Sequence, residues 1–246
     1  MIYKSGFIPR GNTQYGKHHT YTYEVGETTA TESDGSGGTR TTRTATGSGP
    51  ATWFHDGTRN GIADYVGDVW KWMSGLRVYK GEIQIFVGNL AAKQVSHLAA
   101  STYWKAILPN GSLVEPGTPG TLKYTKDFKI ATDTGAAGST YTANFGNLVA
   151  GTGVTTIPEI LKELFLAPVS GVTHTGAFWI NNEDERLPFV SGSYNYPSSA
   201  GPSALNLNYP RSDVWAASAS SPLLWSWNLQ SDSRVLFGAT IVALYF

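Results

Sequence analysis

Helical periodicity is confined to one short stretch of this chain, TIPEILKELF at residues 156–165. Thr156 with Glu159 three residues on reads as a capping box, Pro158 falls in the first turn, and Pro168 closes the segment. Ile157, Ile160, Leu161, Leu164 and Phe165 form its apolar stripe. A chain of 246 residues with one amphipathic helix must bury its core mainly through strands. Eight Trp, thirteen Tyr and twenty-eight Gly agree with a loop-rich, aromatic-cored fold. The expected class is α+β, with few helices, antiparallel strands and abundant loops.

Period-two segments supply those strands. VWKWM (69–73) sets Trp70 and Trp72 on one face with Val69 and Lys71 on the other. GEIQIFVG (81–88) sets Ile83 and Ile85 against Glu82 and Gln84, the pattern of a sheet with one wet side. GAFWI (176–180) and the terminal residues 234–246 read as further strands. The Gly, Ser and Thr-rich stretch 26–50 is expected to be a low-complexity loop or arm, with an edge strand at TRTTRTAT that pairs with a neighbouring chain as the lesser alternative. A helical turn or loop is expected within 91–100, and an irregular connection over 109–121.

Several classes of function are excluded or disfavoured by composition. The formal charge is zero and no long like-charged run occurs, which argues against nucleic acid as a partner. No Cys is present, so disulfides, thiolate metal sites and thiol nucleophiles are ruled out. No apolar run is long enough to insert in a bilayer, and the opening residues are too polar for a signal peptide. A soluble protein is expected. The serine-hydrolase elbow, P-loop and zinc-protease patterns are missing.

Two clusters carry candidate chemistry. In HDGTRNGIAD (55–64), Asp56, Asn60 and Asp64 are hard oxygen donors among glycines and make weak calcium candidates, without EF-hand spacing; turn-forming Asx residues are the plainer explanation. Glu183, Asp184 and Glu185 are adjacent carboxylates, a solvated acidic turn by default and a glycosidase-type pair only if they converge. No catalytic residue is assigned, and a non-enzyme is expected.

The richest stretch is 191–228, more than half of it Ser, Asn, Tyr and Trp, with Arg211 and Asp213 its only charges. Binding surfaces use this palette, because Tyr and Trp give large contact area at low entropic cost and Ser and Asn adapt their hydrogen bonds. Its candidate ligand-binding residues are Ser193, Tyr194, Asn195, Tyr196, Ser198, Ser199, Asn208, Tyr209, Asp213 and Trp215. PLLWSW (222–227) reads as a buried loop or an interface between chains.

GIADYVGDVWKW (61–72) resembles the formylglycine-generating-enzyme branch of the C-type lectin fold, whose members carry G-I/L-x-D-x-x-G-N-V-W-E-W. Gly61, Asp64, Gly67, Val69, Trp70 and Trp72 match; Asp68 and Lys71 replace the usual Asn and Glu. FIPRGNTQYG and TATGSGPATWFHDGT are similar to segments of that branch. Near the end, Arg186, Pro188, Gly192, Ala200, Gly201, Leu205, Asn206, Leu207, Asn208, Arg211 and Ser212 fit its pattern. Val190, Ser191 and Tyr194 depart from it, and its closing G-F-R appears as Gly238, Ala239 and Thr240 after an apparent insertion. The family's helix ahead of the PRGNT segment is missing, as if the chain began partway through a longer protein or had lost that element.

The resemblance covers about half the chain. It implies a single C-type lectin-like domain over 1–246, with the low-complexity loop at 26–50, an unrecognised insertion at about 91–150 and a recognition region at about 186–246. The branch's cysteine oxidation is excluded for want of Cys, and its calcium-lectin sugar motifs are missing. What remains resembles variable proteins of diversity-generating retroelements and prophage tail receptor-binding proteins. In that group adenine-directed mutagenesis rewrites positions corresponding to Ser193, Asn195, Tyr196, Ser199, Tyr209 and Asp213, whereas Trp215, Trp225 and Trp227 would be template-fixed. The implied partner is a host-surface protein or glycan receptor, bound from a virion tail fibre or tip, or from a bacterial surface. A homotrimer is the assembly the analogy suggests. A structural tail module without its own receptor, or an enzyme using the carboxylate cluster, are the alternatives.

Overall fold

The protein is described by a computed structural model over residues 7–213, apart from 89 and 94, together with the backbone of 218–224. Its elements in chain order begin with β1 (Thr28–Ser33), β2 (Thr39–Thr44), β3 (Trp70–Ser74), β4 (Leu76–Tyr79), β5 (Glu82–Ile85), β6 (Lys105–Ile107), β7 (Leu113–Val114) and β8 (Lys123–Tyr124). There follow β9 (Lys129–Ala131), β10 (Ser139–Thr142), β11 (Val149–Ala150), α1 (Glu159–Glu163), β12 (Phe178–Asn181), β13 (Glu185–Val190), β14 (Leu205–Tyr209) and β15 (Ser218–Leu224). The fold is mostly sheet and rich in loops; α1 and three single turns of 3₁₀ helix are the helices among the described residues.

One large sheet runs β10-β12-β14-β13-β4-β5-β8-β9-β11, with β3 pairing β13 and β15, and β6 joining β5 to β7. Most pairs are antiparallel, as expected. β12 with β14, β9 with β11 and β3 with β15 are parallel. Residues 91–150 contribute β6 to β11 to the main sheet.

Alternation sorts the strand residues onto two faces. Phe178 and Ile180 of β12, Leu205 and Leu207 of β14 and Val190 of β13 point into the main core, with Val78, Ile83, Leu122, Tyr124, Ile130, Phe145 and Leu161. Tyr124 anchors the helix end to this core: its hydroxyl donates to the Leu166 carbonyl at 2.6 Å. Trp70, Phe189 and Ala204 form a second cluster on the opposite face.

Three local expectations change. The helix is shorter than its apolar pattern: Pro158 is extended (ψ 149°) and occupies the N-cap without a side-chain cap, so Thr156 caps nothing. At the other end Phe165 takes φ 56°, and the Phe165 and Leu166 amides bond back to the Lys162 and Leu161 carbonyls. That 6→1 with 5→2 pairing is a Schellman stop, completed before Pro168 is reached.

Residues 26–50 are not a featureless loop. β1 and β2 pair as an antiparallel hairpin, Thr28 opposite Thr44 and Ser33 opposite Thr39, because alternating Thr favours extended backbone. Its tip is closed by the Asp34 carboxylate, which accepts from the Ser36 and Gly38 amides.

GEIQIFVG has no wet side. Glu82, Ile83, Gln84 and Ile85 are all buried, the two polar residues being satisfied by each other, by Arg77 and by Thr121. The expected terminal strand at 234–246, Trp215, Trp225, Trp227 and the Gly238 to Thr240 element lie outside the described residues.

Candidate ligand-binding face

Two of the motif segments meet at the base of this face through glycines. A side chain at Gly11 would come within 1.8 Å of the Val66 carbonyl oxygen, and one at Gly67, which sits at φ 72°, within 2.1 Å of the Asn12 carbonyl oxygen. Only hydrogen fits at either place. The loop that follows Gly67 wraps an ammonium: Lys71 donates Nζ to the Gly67 and Val69 carbonyls at 2.8 and 3.0 Å. Burial lowers Lys71 to a pKa of about 8, against the pull of Asp68 and Asp64.

Residues 191–204 cross the second cluster as a loop held by main-chain bonds. The Tyr194 amide donates to the Asp68 carbonyl (3.0 Å), the Tyr15 amide to the Tyr194 carbonyl (2.8 Å), the Ala177 amide to the Ser199 carbonyl (2.9 Å), and the Ser191 amide to the Ala204 carbonyl (3.0 Å). Gly192 at φ 83° brings the loop back against Ala200, which a Cβ would meet at 2.4 Å. The backbone is thus fixed at both ends and in the middle by main-chain bonds.

Those side chains fall into distinct groups. Asn195 and Ser198 are exposed; Tyr194, Tyr196 and Ser199 are partly so. Ser193 is fully buried, its hydroxyl donating to Asn195 Oδ1 at 2.9 Å. It supports the loop from within and is unavailable for direct contact, because the turn that exposes its neighbours folds it under. Tyr194 leans on Tyr15 edge-on (5.6 Å) and its hydroxyl reaches Glu32 of the hairpin at 3.4 Å. Burial raises its phenol pKa, with Glu32 adding to the shift.

Tyr196 packs edge-on against Trp70 (5.3 Å) and Trp179 (5.9 Å), and Tyr209 against Phe189 (5.4 Å). Beneath them the register aligns Tyr141, Trp179, Asn206, Phe189 and Trp72 in one row across β10, β12, β14, β13 and β3. Tyr141 and Trp179 stack at 5.7 Å and 18°, and Tyr141 is 54% exposed. One pleat along, Ser139 donates its hydroxyl to Asn208 Oδ1 at 3.2 Å.

Sequence reasoning thus found Tyr196, Asn208 and Tyr209 on this face and missed Tyr141, Trp72 and Trp179 as members of it. The signal was present in FWIN and STYT, where Phe178 and Ile180 alternate with Trp179 and Asn181, and Thr140 and Thr142 with Ser139 and Tyr141.

Asp213 and Arg211 stand at the far end, lining a cavity of about 300 Å³ with Trp72, Met73, Trp104 and Leu187. Ser74 and His97 also line it, Oγ and Nδ1 lying 2.5 Å apart. Burial holds His97 below its usual pKa, and its ring is bonded to the Lys93 main chain rather than to a carboxylate. The pair clasps β3 to the 91–100 segment.

The carboxylates do not converge. Glu183 and Asp184 are exposed on the turn between β12 and β13. Glu185 is instead gripped by two guanidiniums: Arg77 Nη1 donates to Oε1 at 2.9 Å, and Arg211 donates Nε and Nη2 to its two oxygens at 3.0 and 2.9 Å. Of the calcium candidates, Asn60 is exposed, Asp56 accepts from Thr58 in its own turn, and Asp64 accepts from the Gly47 amide at 2.7 Å. Among the described residues no group of three His, Cys, Asp or Glu side chains is placed to hold a metal ion.

No protein-family model matches this chain, and no curated protein is similar to it.

Proposed function

We propose that this chain is a non-enzymatic display protein, phage- or prophage-encoded, that binds a host-surface receptor through loop 191–204 and the neighbouring outer face of the sheet. One observation carries the reading: the loop's backbone is held by main-chain bonds at Tyr194, Ser199, Ser191 and Ala204, while the Asn195 and Ser198 side chains stand exposed on it. A surface of that kind can change its side chains without changing its shape. Its residues are Tyr194, Asn195, Tyr196, Ser198, Ser199, Asn208, Tyr209 and Asp213, with Trp215 carried over from the sequence.

The C-type lectin frame and the kinship with diversified tail proteins belong to the same proposal and rest on the resemblance of GIADYVGDVWKW and the LNLN segment. On this reading the protein sits at a tail fibre or tip, or on a bacterial surface. Several copies, three by analogy, would offset weak single-site binding. A few aromatic anchors would supply most of the affinity.

Attachment is the test. Asn195→Arg with Ser198→Arg places two long charged side chains on the exposed part of the loop, clear of both cores. The expected result is loss of attachment to the bacterium associated with the gene, with circular dichroism and melting temperature unchanged. Undiminished attachment by the folded variant would overturn the reading.

A further inference from the structure

We propose that the Tyr141 end of the outer face is a subsite for the sugar rings of an uncharged glycan, which rests on the ligand-binding reading above and names the class of ligand. Tyr141 and Trp179 form a stacked aromatic step, more than half of Tyr141 being open. Trp179 stands opposite Asn206 and Ile180 opposite Leu207, and the continuing register sets Asn181 opposite Asn208. These two amides lie one pleat from the aromatic step, roughly 7 Å along the strands.

Both amides are oriented from behind. Asn181 Oδ1 accepts from the Glu183 amide at 3.0 Å, and Asn208 Oδ1 accepts from the Ser139 hydroxyl at 3.2 Å. Among the described residues neither Nδ2 group has a protein partner, so two N–H donors of fixed direction stand beside an apolar slab. A ligand satisfying both needs one apolar face and oxygen acceptors at its rim. A pyranose has that form: its C–H groups cover an aromatic ring while hydroxyl and ring oxygens accept from amides.

The patch itself, Ser139, Tyr141, Trp179, Asn181 and Asn208, carries no charge, which disfavours acidic or basic ligands. It is also far smaller than the roughly 20 to 30 residues a side of a stable protein interface. Strand addition by a peptide would use the edge of β10 rather than this face.

The experiment is titration of the full chain with trisaccharides of glucose, galactose and N-acetylglucosamine, and with a sialylated trisaccharide, followed by tryptophan fluorescence and calorimetry. At least one neutral trisaccharide is expected to bind, and the sialylated one to bind no better. Tyr141→Ala and Asn208→Leu should each weaken binding tenfold or more with the circular dichroism spectrum retained. Binding to none of the neutral sugars, or binding indifferent to both substitutions, overturns the proposal.

A parallel assay with whole bacteria separates this proposal from the broader one. Attachment that survives periodate but is abolished by protease overturns the glycan and leaves receptor binding intact. Attachment abolished by periodate and by Tyr141→Ala supports both. Absence of any attachment alongside sugar binding supports the subsite and removes the host-receptor reading.

Discussion

Asn12 and Asp68, 56 residues apart, clasp one another twice: Asn12 donates Nδ2 to Asp68 Oδ1 at 3.0 Å, and the Asp68 amide donates to the Asn12 carbonyl at 2.7 Å. Thr44 adds its amide and hydroxyl to the same carboxylate oxygen at 2.9 and 3.1 Å. Three separate stretches of chain are thereby joined directly behind Tyr194, whose amide bonds the Asp68 carbonyl.

The clasp depends on the glycine beside it. Gly67→Ala would put a methyl group against the Asn12 carbonyl at φ 72°, with backbone rather than a flexible side chain in the way. A loss of at least about 2 kcal/mol is expected from the left-handed backbone and the forced displacement. Urea unfolding of the purified variant measures it; a midpoint equal to that of the parent would refute the account.

Glu185 is expected to be the most acid-sensitive tie of the sheet. Burial pushes its carboxyl upward but is outweighed by Arg211 and Arg77, which hold it below the usual carboxylate range. A depressed acid contributes stability above its unfolded value, and that contribution disappears as pH falls through the lower folded value. Glu185→Gln should therefore cost about 3 kcal/mol at neutral pH, since it strands Arg77, which is 8% exposed. The gap between parent and variant should close as pH is lowered through the range below 4.5, the ordinary glutamate value. Denaturant titrations across that range give the answer.

Lys71 should produce a slope of the same sign in alkali. Its pKa is about 8 in the fold and 10.5 when unperturbed, so between these values the unfolded chain binds the additional proton. Stability is expected to rise from pH 8 towards pH 10 and to stop rising there, because Tyr124, whose phenol burial raises, begins to work against folding above that point. Lys71→Met should abolish the rise. Equal slopes for parent and variant in guanidinium unfolding would show that the ammonium is not desolvated.

Tyr124→Phe removes one buried hydroxyl and leaves the Leu166 carbonyl without that donor. The expected loss is about 1 to 2 kcal/mol. Because the bond ties the end of α1 to β8, hydrogen exchange of the Leu164 and Leu166 amides should speed up more than that of β12. Uniform acceleration in both places would mean that the hydroxyl holds nothing local.

Much of the strand pattern could be read directly: VWKWM and GAFWI lie in strands where alternation put them, and Trp70 is a core residue as its spacing implied. What alternation does not encode is whether a polar face meets water or another polar group. Glu82 and Gln84 look like the wet side of a strand, yet they are buried because Arg77, some residues away in sequence, turns inward to meet Gln84 at 2.6 Å. The Thr-rich hairpin was obscured for a related reason. Its strands bury little, so low hydrophobicity reads as disorder although Thr42 and Thr44 pack and Arg40 covers the Tyr15 ring at 4.1 Å. The helix was overextended because apolar spacing continues through Phe165, while the backbone had already turned. Of the face, composition identified Tyr196, Asn208 and Tyr209; Tyr141 joins them only through the pairing of β10 with β12, a contact between distant residues.

The sheet also separates two kinds of hereditary freedom. On β12 and β14 the residues that hold the molecule together, Phe178, Ile180, Leu205 and Leu207, alternate with Trp179, Asn181, Asn206 and Asn208. A single-nucleotide change at an outward codon such as that of Asn181 or Asn208 leaves every inward neighbour untouched. Under the proposed binding function, specificity can therefore drift along a lineage while melting temperature stays nearly constant, and sequence divergence within these strands should fall on every second residue.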